Sequence, residues 1–181
     1  LKVKLGAPDD LPRLRAVRAA APETRLIVDA NEGWSVEDYR SLAPALLQLG
    51  VEMVEQPLPA SDDEALAHID RSLPVCADEA AHDCVSLAGL RGKYDLVNIK
   101  LDKTGGLTEA IAMRSRAREM GFGVMVGCMV SSSLAIAPAV LIAQDADVID
   151  LDAPLLLSED RDCPVVVDRA GVHPARPRLW G

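Results

Sequence analysis

The chain has 181 residues, a 49% hydrophobic composition with only 3% aromatics, and a formal net charge of −9. That length suits one domain, with a sizeable core packed by Leu, Val, Ile and Ala. The acidic balance argues against nucleic acid or an anionic membrane as partner, and no apolar run reaches the length of a transmembrane helix.

The chain opens on "LKVKLG", where residues 1–5 alternate apolar and basic and so predict a half-buried strand. Further short apolar runs follow at 25–31 ("RLIVDAN"), 51–57 ("VEMVEQP"), 74–80 ("PVCADEA"), 95–101 ("DLVNIKL"), 123–129 ("GVMVGCM") and 147–154 ("DVIDLDAP"). Segments of helical period lie between them. "SVEDYRSLAPALLQLG" has Ser35 as N-cap, Asp38 at N3 and a stop at Gly50. "SDDEALAHID" opens on Ser61 with acidic residues, as a helix N-terminus prefers, and "TEAIAMRSRAREMG" stops at Gly121. Pro44 and Pro138 fall inside predicted helices and suggest late starts or kinks there.

Strands alternating with helices at about 25-residue spacing predict parallel strands joined by crossovers. An open doubly wound sheet and most of an eight-stranded barrel both fit that rhythm. The polar residues favour the barrel. Six of the seven runs carry ionisable residues toward their C-terminal ends: Lys2 and Lys4, Asp29, Glu55, Asp78, Lys100, and Asp150 with Asp152. The sixth carries Gly127, Cys128 and Met129 there. A barrel gathers strand C-termini on one face, whereas an open sheet spreads them along an edge.

Asp29, Glu55 and Asp78 each close an apolar run on three consecutive strands. Burying three carboxylates together is prohibitive unless a cation neutralises them, and an all-oxygen set suits Mg²⁺ or Mn²⁺ rather than zinc. His68, His82 and His173 fall outside these runs. A lysine partly desolvated near a cation is pushed toward its neutral, basic form. Lys4 and Lys100 are then candidate bases on opposite sides of a reacting carbon. The alternatives are an ion pair of Lys100 with Asp102 and plain solvation of the rim by the other charges. Lys103 is out of phase and expected at the surface, and "TGG" (104–106) reads as a tight connection rather than a phosphate loop.

At these residues the chain resembles the enolase superfamily, in its muconate-lactonising branch. "KVK", "VDAN", "VEQP", "ADE" and "NIKLDKTGG" match that family's motifs in order and spacing. The resemblance implies a modified TIM-type (β/α)7β barrel of class α/β, here without its first strand and its N-terminal capping domain. Residues 1–158 would be the barrel and 159–181 a tail returning toward that cap. It implies Mg²⁺ or Mn²⁺ on Asp29, Glu55 and Asp78, proton transfer by Lys4 and Lys100, and charge stabilisation by Lys2. Asn31 would support Asp29 on its face, while Glu79 points away from Asp78's face and receives no metal role.

"IDLDAPLLL" resembles the Asp-x-Asp of dipeptide epimerases, in which the pair holds a substrate α-ammonium. Asp150 and Asp152 share a strand face and can clamp one cation. Cys128 and Met129 are further candidate substrate contacts, although a buried thiol in an apolar run is by default packing. The implied reaction is a 1,1-proton transfer on the C-terminal residue of a dipeptide through an enediolate, an enolase-superfamily chemistry that general principle already describes. N-acylamino-acid racemase, o-succinylbenzoate synthase and cycloisomerase are rivals within the superfamily. A metal-free Schiff-base lyase and a non-catalytic barrel module are rivals outside it. The scattered Cys76, Cys84, Cys128 and Cys163 suggest reduced thiols and a cytoplasmic location, and a homo-oligomer is compatible with this reading.

Overall fold

The computed structural model describes residues 1–181. All seven apolar runs form strands, each shorter than its run: β1 Lys2–Lys4, β2 Leu26–Asp29, β3 Val51–Glu55, β4 Val75–Ala77, β5 Leu96–Ile99, β6 Gly123–Gly127 and β7 Val148–Asp150. They are ordered in the sheet as in the chain, and their described pairings are parallel. A doubly wound sheet reverses strand order at a switch point. No reversal occurs here, which is the pattern of a barrel wall. The middle strands β2 to β6 are almost wholly buried, as parallel strands covered on both faces must be, whereas β1 and β7 are not.

Two compact units divide the chain. The first comprises residues 1–81 and 88–97. It holds α1 (Asp10–Ala20) and α2 (Val36–Gln48), whose buried Tyr39, Ala43 and Leu46 recur at helical spacing. Ser35 and Asp38 form the expected capping box: the Ser35 hydroxyl accepts from the Asp38 N–H at 3.1 Å, and the Asp38 carboxylate accepts from the Ser35 N–H at 2.9 Å. Such a cap contributes about 1 kcal/mol. Pro44 neither delays nor ends α2, because it sits on the exposed face, where water can satisfy the carbonyl that loses its partner.

The helix expected from Ser61 does not form. Two short 3₁₀ turns, Ala60–Asp62 and Glu64–Ala67, take its place. The segment buries a single large apolar side chain, Leu66, and Asp63 turns inward to pair with Lys93 at 2.5 Å instead of supporting a helical N-terminus. Without an apolar stripe, so short a helix has nothing to hold it.

The loops after β1 and β2 cross at two glycines. Gly6 has φ +109°, and a Cβ added to Gly33 would lie 2.8 Å from the Ala30 carbonyl oxygen and 3.2 Å from the Gly6 Cα. Both obstacles are backbone. Gly33→Ala is therefore expected to cost about 1–3 kcal/mol, read as a melting temperature lowered by several degrees. An unchanged melting temperature would show that the crossing yields freely.

The second unit comprises residues 82–87 and 98–181. It contains α3 (Leu101–Thr104), α4 (Leu107–Glu119), α5 (Ser133–Ile142), a hairpin of β8 (Val167–Asp168) and β9 (Gly171–Val172), and α6 (Pro177–Trp180). Pro138 lies within α5 without ending it. Its core includes Ile99, Met113, Val124, Met125 and Ile136. Asp160 accepts from the Ser133 N–H at 3.0 Å and from its hydroxyl at 2.5 Å, tying residues near 160 to the start of α5. No helix is long and apolar enough to cross a membrane.

Candidate metal centre and active site

The strands end where the backbone leaves the extended region. Asn31 has φ +43°, Glu32 φ +63° and Gln56 φ +31°, and α3 begins directly after Lys100, whose own backbone is still extended. Asp29 and Glu55 are consequently the last residues of β2 and β3, while Asp78 falls just beyond β4. Register aligns them: Lys4 pairs with Asp29, Asp29 with Glu55, and Glu55 with Cys76, two residues before Asp78. Even spacing across hydrogen-bonded strands puts all three carboxylates at one place.

Their ligand oxygens lie within 4.8 Å of one another, and all three residues are buried. Lys2 Nζ reaches Asp29 Oδ2 at 3.1 Å and Glu55 Oε2 at 2.8 Å, and Lys4 Nζ donates to the same Asp29 oxygen at 2.6 Å. The two lysines differ in freedom: the Lys2 side chain is 12% exposed and that of Lys4 60%. Burial pushes the Glu55 carboxyl up to about 7; Lys2 opposes that, and the charges of Asp29 and Asp78 add to it. A buried, all-carboxylate set under this strain fits a hard divalent cation.

Two further residues join the rim. The Asn31 N–H donates to Asp29 Oδ1 at 2.9 Å. Asn31 Nδ2 donates to Glu79 Oε1 at 3.3 Å, and burial and the charge of Asp78 raise the Glu79 carboxyl. Glu79 thus does not turn away from the site. Strand alternation stops at Ala77, so it cannot place residue 79. Sequence reading also passed over Asp10, a buried carboxylate that accepts from the Gly6 and Ala7 N–H groups at 2.7 and 3.1 Å. Arg13 links Asp10 at 2.7 Å to the Lys4 carbonyl at 2.9 Å, so the loop after Lys4 is fastened. Asp10 and Arg13 at i, i+3 at the start of a helix were the available signal.

In the second unit, Lys100 is buried at the end of β5. Lys103 is not a free surface group; it is half-buried and donates to the Asn98 carbonyl at 3.0 Å. Cys128 is half-buried, and its thiol approaches the Asp150 carbonyl at 3.4 Å. Burial raises that thiol and the Ala153 N–H lowers it; the charges of Asp150 and Asp152 raise it further, and Lys100 opposes them. Met129 is more exposed, at 53%. Asp150 ends β7, but Asp152 has αR backbone, so a common strand face does not extend to it. Both nevertheless border a cavity of about 380 Å³, whose other walls include Val140, Ile149, Leu155 and Val167.

Known proteins share the sequence and the fold of this chain. Over 181 residues the chain is 48% identical to the N-acetyl-D-glutamate racemase of a Pseudoalteromonas species, covering 100% of this chain and 58% of that protein. It is 49% identical over 160 residues to the L-Ala-D/L-Glu epimerase of Escherichia coli strain K12, covering 88% of this chain and 50% of that one. A crystal structure of an enolase family member from Agrobacterium tumefaciens with homology to dipeptide epimerases, with bound sodium and L-Ala-L-Glu, superposes with a TM-score of 0.97 at 55% identity, covering 100% of this chain and 56% of that chain. The chain spans about half the length of these relatives. The fold is the α/β, TIM-type barrel fold that the motifs implied. Matching the family described as Enolase C-terminal domain-like over residues 1–173, the chain belongs to it.

Proposed function

We propose that the protein is an epimerase that moves the α-proton of the C-terminal residue of a dipeptide. The observation that carries this reading is the convergence of Asp29, Glu55 and Asp78 within 4.8 Å beside Lys2 and Lys4. Mg²⁺ held by the three carboxylates, with Mn²⁺ as a substitute of similar ligand preference, would supply positive charge to the substrate carboxylate as an enediolate develops. Lys4, more than half exposed, can exchange its Asp29 contact for the α-proton on one face of the substrate. Lys100 serves the other face. Lys2, held between Asp29 and Glu55, stays put and adds fixed positive charge. Asp150 and Asp152 receive the substrate α-ammonium, with Cys128 and Met129 beside them. Residues 1–158 supply this chemistry. Residues 159–181 lead toward a capping domain, which contributes side-chain specificity, and the four scattered cysteines suit a reducing, cytoplasmic setting.

A second reading has its own support: the Pseudoalteromonas relative, 48% identical, is named for an N-acetylated amino acid, which has no ammonium for Asp150 and Asp152 to hold. Asp150→Asn in the full-length protein separates the two. A dipeptide epimerase should lose about 10-fold to 100-fold in kcat/KM on L-Ala-L-Glu, the worth of one charge-assisted contact, and little on N-acetyl-glutamate. Equal, small effects on both substrates, with N-acetyl-glutamate the better one, would overturn the dipeptide assignment.

A further inference from the structure

One fully buried residue touches all three loops that carry the carboxylates. The Gln56 N–H donates to the Cys76 carbonyl at 2.8 Å, on the strand that leads to Asp78, and its own carbonyl accepts from the Glu32 N–H at 2.9 Å, in the loop after Asp29. Its side-chain oxygen accepts from the Asp78 N–H at 2.9 Å and the Ala80 N–H at 3.1 Å. Its side-chain nitrogen donates to the Leu58 carbonyl at 2.9 Å and to the Tyr94 hydroxyl at 2.7 Å. An amide side chain offers two donors and two acceptor lone pairs, and here all four are used. The Tyr94 hydroxyl in turn donates to Asp63 Oδ2 at 2.8 Å, and Asp63 pairs with Lys93 at 2.5 Å.

The backbone of Gln56 is held at φ +31°, which a non-glycine residue rarely adopts. Such a conformation persists only where its surroundings over-determine it, and these contacts do so. Because Gln56 directly follows Glu55 and binds the amide of Asp78, it fixes how far apart those two carboxylates stand.

We propose that Gln56, braced by Tyr94 and Asp63, is the positioning residue that sets the spacing of Asp29, Glu55 and Asp78 and so tunes the site for a small divalent cation. This rests on the reading of the three carboxylates as metal ligands. Mg²⁺ demands near-ideal octahedral geometry at short distances, whereas Ca²⁺ tolerates looser, longer ones. Loosening the frame should therefore harm Mg²⁺ more than Ca²⁺.

Calorimetric titration of the metal-free, full-length protein with MgCl₂ and with CaCl₂ tests this directly. Gln56→Leu is expected to weaken Mg²⁺ binding by about 10-fold to 100-fold, as loss of an outer partner typically does, and Ca²⁺ binding by less. Tyr94→Phe, which removes a single hydroxyl, keeps the test open if Gln56→Leu does not fold, and should shift the Mg²⁺/Ca²⁺ ratio the same way by a smaller factor. Leu46→Ala, a core change in α2, is the control for lost stability alone. Mg²⁺ and Ca²⁺ affinities that fall equally, or that stay within about two-fold of wild type while melting falls as in Leu46→Ala, would overturn the inference. Wild-type protein that binds neither ion would overturn the metal reading, and this inference with it.

Discussion

Lys4→Ala in the full-length protein is expected to abolish α-proton exchange into D₂O for one epimer of a dipeptide substrate while sparing exchange for the other. Lys100→Ala should show the converse. In each variant the net epimerisation rate should fall by about 10²–10⁴-fold, the usual worth of a positioned acid or base. The asymmetry is what identifies two bases, because a single shared base would lose exchange from both epimers at once. Mg²⁺ affinity should not fall in Lys4→Ala. Lys4 Nζ lies 2.6 Å from Asp29 Oδ2, so on the proposed reading it would compete with the cation for that oxygen rather than build the site. Exchange that survives in the Lys4→Ala, Lys100→Ala double variant, followed by NMR, would sink the two-base mechanism.

Glu55→Gln should do two opposite things. It should weaken Mg²⁺ binding by roughly 100-fold or more, since a direct ligand outweighs the outer partners whose loss costs 10-fold to 100-fold. It should also make the metal-free protein more stable. The Glu55 carboxyl is pushed up to about 7 by burial, against an ordinary value of 4.5. A raised carboxyl favours the folded state only while protonated. The stabilisation is full below about pH 4.5 and is lost as the pH rises toward 7, so the metal-free wild type should lose on the order of 3 kcal/mol across that window. The neutral amide escapes the loss. At pH 8 without metal, Glu55→Gln should therefore melt roughly 5–10 °C above wild type, and the gap should close below pH 4.5. A variant that melts lower than wild type at pH 8 would mean that the ion pair with Lys2, 2.8 Å away, outweighs the cost of burial.

The carboxylate cluster was legible because it rests on the most regular part of the chain. Asp29 and Glu55 are terminal residues of parallel strands in direct register, so matched positions in two apolar runs became neighbours in space. The strand order, too, followed from rhythm and from charges gathered at one end. What failed did so where regular geometry stops. The residues from Ser61 carry helix-start chemistry but have only Leu66 to bury, and tertiary contacts of Asp63 with Lys93 and Tyr94 take precedence over local propensity. Glu79 and Asp152 were placed by an alternation that had already ended at Ala77 and Asp150. Gln56 sits in "VEQP" between Glu55 and a proline, and nothing in a string of letters reveals a positive φ or five long-range hydrogen bonds.

The alignment of Lys4, Asp29 and Glu55 across β1, β2 and β3 also decides which changes of length the chain can absorb. Backbone hydrogen bonding between strands, not the connecting segments, spaces these groups. Residues added near Pro22 or Glu23, in the exposed stretch after α1, would leave the three groups where they are. Removing one residue from within β2 would turn Asp29 to the opposite side of the sheet and separate it from both neighbours at once. For this architecture, one deletion inside a four-residue strand is a graver event than a long insertion a few positions earlier.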